Sequence, residues 1–552
     1  MNFAFARCAG LAALGCCTFT SAAGAQNAGE AQPVSSSLPQ AVAPEPVDGA
    51  GERRIDILNY RVEGNSVLPR IEVEKAVMAF MGPQRPMSDV DAAREALEKA
   101  YRAHGYETVS VELPEQDVRG GVIRLNVVEM KVGRLRVTDA RHVSPEQIKA
   151  AVPALSEGGV PNYKAVSQQL AAVNKSSNRS VTPVLRAGDT PGTVDVELNV
   201  EDSLPLHGSI ELNDRSSSRT ERFRLTASAR YGNLFQADHS LSLQGQFAPQ
   251  NPGQSWVVSG SYVAPIHGTP LTAVVYGVHS NSNVSAINNI GVIGSGNIGG
   301  IRGIYSVTSG DPMSPLVHQF TVGADYKSFK EDLNLTGSDT AKTPISYVPF
   351  TLQYSVAKRT ERQELNFGIS LNFGLRGVGA SDTEFRLKRY EASANWAALR
   401  GDFSYLQKWP GDWRTGLRGS WQFSGRPMVS NEQFSLGGLD SVRGYYESQI
   451  LGDDGASGQL QLDTPSLRKP FGDQMQDLRL FTFVDGGVMH VHKPLSGQDR
   501  NTRLISVGGG LTLRSFNMLN LSALLAAPLI NRGDAPQDIG DLRGQLRLWL
   551  DF

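Results

Sequence analysis

From about residue 206 to the C-terminus, apolar and polar side chains alternate in segments of about ten residues separated by Gly, Asn, Asp and Ser. RFRLTASARYG, HSLSLQGQF, WVVSGSYVA, LTAVVYGVHS, HQFTVGADY and LNFGISLNFG are examples. A period of two sends successive side chains to opposite faces of a strand, so each segment predicts a strand with one apolar and one polar face. The last segment is the clearest: Leu542, Leu546, Leu548, Leu550 and Phe552 point one way, and Arg543, Gln545, Arg547 and Asp551 the other. At roughly 20–24 residues per strand and connection, 205–552 holds about 16 strands, an even number that closes an antiparallel barrel with both ends on one side. A soluble sandwich has a similar rhythm, but it does not need an apolar face on nearly every strand together with a C-terminal aromatic. The expectation is an all-β transmembrane barrel of about 16 antiparallel strands.

Before Leu204-Pro205 the period changes. In 55–131, Leu58, Tyr60 and Val62 alternate as a strand, and a helix at about 69–80 carries Val73, Val77 and Phe80 on one face. Ser88 with Asp91 three residues on reads as a capping box for a second helix with the stripe Val90, Ala93, Leu97 and Tyr101, and Gly105 supplies the stop. Two strands follow: Val109, Val111, Leu113, then Ile123, Leu125, Val127. Residues 132–204 repeat the order, with a strand at Leu135 and Val137, a helix opened by Ser144-Pro145, a helix marked by Val166, Leu170 and Val173, and a strand of Val194, Val196, Leu198 and Val200. Each is an α+β module of β-α-α-β-β order, with helices over one face of a small sheet. Such a sheet leaves an edge that can accept an extended peptide, and Val109, Val111, Val194 and Val196 mark the strands expected to bind a partner. Beyond Pro205 helical periodicity is not expected to return.

The N-terminus has Arg7, an apolar centre from Cys8 to Cys17, and Ala23-Gly24-Ala25 as a cleavage site, so 1–25 reads as a signal peptide. The competing reading is a lipoprotein modified at Cys16 or Cys17, although Ala-Leu-Gly-Cys lacks the usual leucine three residues before the cysteine. All three cysteines lie in this segment, which leaves the mature chain without disulfide, thiol nucleophile or thiolate metal ligand. Residues 26–54, rich in Ala, Pro, Ser and Gly, read as a linker. The balance of 53 basic against 55 acidic residues gives no basic face for nucleic acid. A mean hydropathy of -0.25 excludes a helical membrane bundle but not a barrel.

Two stretches concentrate the remaining chemistry: LGGLDSVRGY, Leu436 to Tyr445, and FTFVDGG, Phe481 to Gly487. The first is a glycine-rich loop with one arginine, the second a strand with one acid; from spacing alone Arg443 and Asp485 could equally be ordinary loop and lumen charges. Gly294-Ser295-Gly296-Asn297-Ile298-Gly299 matches a dinucleotide fingerprint but is followed by another strand rather than a helix. His490 and His492 share a strand face without a third ligand nearby. No cofactor, metal or catalytic residue is assigned.

Signal peptide, paired β-α-α-β-β modules, strand-rich C-terminal region, VRGY at Val442–Tyr445, F-x-D-x-G at Phe483–Gly487 and terminal Phe552 together resemble the outer-membrane transporters of two-partner secretion, TpsB-type members of the POTRA–barrel superfamily. The resemblance covers about 54–552, and Asn162 to Asp214 is especially similar to the second POTRA domain and first barrel strand of that family. It implies that Val442, Arg443, Gly444 and Tyr445 sit at the tip of the sixth extracellular loop, folded into the lumen. Arg443 would pair with Asp485, between Phe483 and Gly487 on the barrel wall. Phe552 would be the barrel assembly signal. The implied function is translocation of a large adhesin- or haemolysin-like exoprotein, carrying an N-terminal secretion domain, from the periplasm of a Gram-negative cell to its surface. The implied partners are that exoprotein, outer-membrane lipid and the barrel assembly machinery, with the transporter itself a monomer. The rivals are a barrel assembly factor of the same superfamily, which usually has more than two POTRA domains, and a passive porin. Family members often carry a plug helix before the first POTRA domain; Gln26–Glu52 has no amphipathic stretch and four prolines between Pro33 and Pro46, so none is expected here.

Overall fold

The computed structural model describes residues 54–552 apart from 119, 175, 177, 219, 282–284, 288–289, 293–294, 312–313, 331, 335–339, 473 and 531–539. The expected signal peptide and all but the last residue of the expected linker lie outside the described residues. Arg54 already begins the first strand. The chain divides into two units between Leu204 and Pro205.

The first unit holds both modules. Module one runs β1 (Arg54–Ile57), β2 (Asn59–Glu63), α1 (Arg70–Met78), β3 (Gly82–Pro86), α2 (Ser88–Ala103), β4 (Ser110–Glu112) and β5 (Val122–Val128). Strand β5 is central, parallel to β2 and antiparallel to β4, while β1 pairs with β3. The stripe Val90, Ala93, Leu97 and Tyr101 of α2 packs into one dry core with Ile123, Leu125 and Val127. Burial pushes the Tyr101 phenol well above its ordinary pKa, so its OH stays protonated and donates to Asn65 Oδ1 at 2.6 Å. Ser88 is the first residue of α2, whose cap position is Met87, one residue before the expected start.

Module two runs β6 (Lys131–Thr138), α3 (Pro145–Ala151), α4 (Tyr163–Val173), β7 (Arg179–Ala187) and β8 (Thr193–Asp202). Here the capping chemistry is built as the sequence spells it: Ser144 Oγ accepts the Gln147 N–H at 3.1 Å and Pro145 opens α3. The two modules touch through Asn162. Its side chain caps α4 by accepting the Ala165 N–H and donates to the His104 carbonyl at 2.8 Å.

The edge assignment of the sequence reading needs correction in module two, while β4, which carries Val111, is an outer strand. Strand β8 is the middle strand of its sheet, with β6 on one side and β7 on the other, so the backbone at Val194 and Val196 is already paired and cannot accept a further strand. The Val194 and Val196 side chains, like those of Val109 and Val111, point into the cores. Period-two patterning identifies a buried strand face; it says nothing of which strand is outermost. The outer strands are β2 and β4 in one module and β6 and β7 in the other, and β7 also exposes Val184 and Leu185.

The second unit is a closed barrel of sixteen strands. Its strands and connections run β9 (Leu206–Asn213), β10 (Arg224–Leu234), β11 (His239–Phe247), β12 (Trp256–Pro265), β13 (Leu271–Ser280), the small hairpin β14 (Ser285–Ile287) and β15 (Ile290–Val292), β16 (Gly296–Ser309), β17 (Leu316–Phe329), and the hairpin β18 (Asp332–Asn334) and β19 (Thr340–Lys342). They continue β20 (Ile345–Arg359), β21 (Gln363–Gly379), α5 (Asp382–Lys388), β22 (Trp396–Lys408), β23 (Arg414–Phe423), the hairpin β24 (Phe434–Leu436) and β25 (Ile450–Gly452), β26 (Asp454–Asp463), β27 (Met475–His490), β28 (Asn501–Ser515), β29 (Leu519–Pro528) and β30 (Arg543–Asp551). Neighbours in the chain pair antiparallel around the ring, and β30 returns to β9. The end at which the chain enters β9 also holds the end of β30 and the short turns; the long connections lie at the other end. The outer surface exposes Leu243, Val275, Ile301, Val322, Leu352, Leu460, Val484 and Leu525, an apolar face for lipid.

Helix does return within the barrel region. In the fifth long connection, Ser381 and Glu384 form a full capping box that opens α5. The signal SDTE is present in the sequence, but seven residues between two strands give no helical period to find.

Candidate loop and lumen site

The sixth long connection, residues 424–453, folds inward, and every functional position assigned from the sequence around it lies in one cluster. Phe483, Asp485 and Gly487 are spaced by two on β27, so all three face the lumen, whereas Val484 faces lipid. Arg443 sits against them. Its Nε donates to Asp485 Oδ2 at 2.7 Å, a terminal guanidinium nitrogen donates to Oδ1 at 2.8 Å, and its backbone N–H donates to Oδ2 at 3.0 Å. The other guanidinium nitrogen donates to Gln461 Oε1 at 2.6 Å, and the guanidinium carbon lies 3.6 Å from the centroid of the Phe483 ring.

Both charges are removed from water: Arg443 is 6 % and Asp485 0 % exposed. A buried ion pair compensates its desolvation only with full hydrogen bonding, and the fork geometry of the guanidinium supplies that here. The glycines make the fit possible. At Gly444 the backbone has φ +91, and an added Cβ would lie 3.0 Å from the Ala526 Cβ. Across the wall, a Cβ at Gly508 would lie 2.5 Å from the Phe483 ring, so only glycine leaves room for the ring beneath the guanidinium. Gly487 serves the loop side in the same way, because a Cβ there would collide with Leu436. Val442 and Tyr445 pack with Leu436, Met489 and Leu504, and the Tyr445 OH donates to the carbonyls of Ile505 and Ile530 at 3.1 and 3.0 Å.

Three further anchors were not visible in the sequence. At the root of the loop, Glu432 accepts from Lys327 Nζ at 2.6 Å, the Tyr347 OH at 2.7 Å and Arg400 at 2.9 Å, from three strands on another arc of the wall. On either side of the tip, Asp440 and Glu447 both hold Arg215 from the first long connection, at 2.5 and 3.0 Å. At the end of the loop, Asp453 accepts from Arg389 and from the backbone N–H groups of Met428 and His492. The loop is fastened at its root, its tip and its return. Phe552 lies elsewhere: its backbone N–H and carbonyl pair with Gly208, and its ring lies over that glycine, closing the seam between β30 and β9. His490 and His492 are engaged by Asn501 and Asp454 respectively, and Gly296 to Gly299 open strand β16.

A family model described as haemolysin secretion/activation protein ShlB/FhaC/HecB matches residues 323–513, and one described as a ShlB-type POTRA domain matches 55–129. The first match contains both Arg443 and Asp485. Over both stretches the chain is similar to the TpsB-type transporters. Among the similar proteins, the outer membrane transporter CdiB of Dickeya dadantii is 26% identical over 437 residues, 75% of this chain and 72% of the relative. The CdiB transporter of Escherichia coli O6:K15:H31 is 23% identical over 82% of this chain and 76% of its own. The heme/hemopexin transporter protein HuxB of Haemophilus influenzae is 19% identical over 84% of this chain and 82% of its own. Among solved structures, CdiB from Escherichia coli superposes with a TM-score of 0.63, at 18% identity, over 93% of both chains. CdiB from Acinetobacter baumannii gives 0.59, at 16% identity, over 90% of both. This transporter is therefore an outer-membrane protein of two-partner secretion whose POTRA part lies in the periplasm. The short-turn end of its barrel faces the periplasm and the long connections face outward.

Proposed function

We propose that this transporter carries a large adhesin- or haemolysin-like exoprotein, presented unfolded through an N-terminal secretion domain, from the periplasm to the cell surface, with no catalytic step of its own. Loop 6 is the barrier that shifts, and the Arg443–Asp485 pair is the lock that sets its resting position. The observation carrying this reading is the dry seat of the VRGY tip on the F-x-D-x-G face, inside a barrel that a porin would leave open. A barrel assembly factor is disfavoured by the paired modules and by relatives that are transporters. Extended segments of the exoprotein would meet the modules at an outer strand such as β7, and folding of the exoprotein outside the cell would draw the chain through. The transporter acts as a monomer, inserted in the lipid by the barrel assembly machinery through its Phe552 strand. The test is the amount of exoprotein at the cell surface in Arg443→Ala and Asp485→Ala strains, with the barrel quantified in the membrane. A loss in both with the barrel retained is expected; normal secretion in both overturns the proposal.

A further inference from the structure

Loop 5 carries a second obstruction. Inward-facing positions of a water-filled barrel are polar, and most of this lumen obeys that rule. At the outer mouth it breaks down: Val257, Val278, Ile298, Phe329, Ile345 and Trp396 all lie in one buried apolar cluster. What keeps water from them is not lipid but the chain's own loops. Phe385, from the middle of α5, is 2 % exposed and its ring lies 5.5 Å from that of Tyr347; Met428 and Val429 at the root of loop 6 complete the cover. On the same helix Leu387 is 66 % exposed, so α5 offers the cluster Phe385 and not Leu387.

The two loops are tied to each other. Asp453, 0 % exposed, accepts from Arg389, directly after α5, at 2.8 Å, from Met428 N–H at 2.9 Å and Gln433 at 3.0 Å in loop 6, and from His492 N–H beyond β27 at 2.7 Å. One carboxylate thus gathers loops 5, 6 and 7. None of these bonds is made by the Arg443 tip.

We propose that α5 is a second barrier, an apolar stopper in the outer mouth, and that Asp453 is the positioning residue that couples it to loop 6. The proposal rests on the translocation reading above and adds to it that an exoprotein must displace two seated elements, the tip of loop 6 and α5. Opening of the first alone leaves the mouth capped.

The test is single-channel conductance of the full-length protein in planar bilayers, with no exoprotein present. A carboxylate at position 385 cannot stay in the apolar cluster unpaired, so Phe385→Asp should raise the open-to-closed ratio at least about tenfold, while Leu387→Asp matches the wild type. Arg443→Ala alone should raise it less than the Phe385→Asp/Arg443→Ala double variant. Replacement of 381–391 by a short Gly-Ser linker gives the same reading should Phe385→Asp fail to insert. Equal conductance in Phe385→Asp and Leu387→Asp barrels that remain heat-modifiable overturns the stopper, as does an Arg443→Ala channel as open as the double variant. Because conductance needs no exoprotein, that outcome leaves the transport reading standing, and normal secretion by the lock variants would do the reverse.

Discussion

Arg443 reaches Asp485 with its backbone as well as its side chain, so that the carboxylate receives three hydrogen bonds from one residue. A charge exchange therefore cannot restore the contact. In Arg443→Asp/Asp485→Arg the N–H of residue 443 would face a guanidinium, which accepts no hydrogen bond. Leaving one buried charge without its partner costs about 3–5 kcal/mol, so Arg443→Ala should unseat the tip of loop 6, and the exchange variant should do the same. Arg443→Lys, which keeps the charge but loses the fork and the bond to Gln461, should fall between. Cleavage of loop 6 by added protease on intact cells ranks the variants.

Gly508→Val should release the same loop without altering any charge. The added side chain takes the space of the Phe483 ring, which lies beneath the Arg443 guanidinium. Overpacking of this kind costs typically about 1–3 kcal/mol, enough to loosen the tip while the barrel still closes. Loop 6 should become protease-sensitive in Gly508→Val and stay protected in Gly508→Ser less completely than in the wild type.

Glu432→Ala is expected to damage the root of the loop more than its tip. It leaves Lys327 and Arg400, both of which the carboxylate neutralises, facing each other in a closed space. The double variant Glu432→Ala/Lys327→Met should recover part of the loss, because one of the stranded charges is removed with its partner. Thermal unfolding in detergent, followed by gel mobility of the folded barrel, gives the order wild type, double variant, single variant.

In the periplasmic unit the expected pH effect centres on Asp202. Burial alone would raise its pKa, but the N–H groups of His142, Val143 and Arg141 converge on the carboxylate and hold it below the ordinary 3.8. A lowered carboxylate pKa stabilises the fold above the unfolded value, and the contribution is lost as pH falls through the folded one. Asp202→Asn should therefore show faster hydrogen exchange around 141–143 than the wild type at pH 7. The difference should shrink as pH drops below 3.8. A difference independent of pH would mean that the carboxylate charge plays no part.

The lock was legible through the resemblance of VRGY and F-x-D-x-G to a known family. Period two places Phe483, Asp485 and Gly487 on one face, but by itself it leaves Arg443 and Asp485 as ordinary loop and lumen charges. The anchors at Glu432, Arg215 and Asp453 were not legible. Each joins residues from separate hairpins, and a charge in a polar loop looks the same in sequence whether it faces solvent or a partner 2.6 Å away. The edge placement of Val194 and Val196 failed for a related reason, whereas Val111 does lie on an outer strand, β4. Val194 and Val196 show a buried face plainly, but which strand lies at the edge depends on sheet order, which a single strand's pattern does not carry. Helix α5 was hidden by its length, since one capping box over seven residues cannot outweigh the strand rhythm around it.

Fifteen of the sixteen barrel pairings join strands that follow one another in the chain, and each can zip as a hairpin while the polypeptide is still arriving. The sixteenth joins the beginning of the barrel sequence to its end, through Ser209–Asn213 and Arg547–Asp551, with Phe552 laid over Gly208 as its final pair. That junction alone bears the loop-closure entropy of the whole barrel. It is the step that should limit the rate of maturation, and an intermediate lacking it has two bare strand edges in the bilayer, where water cannot satisfy them.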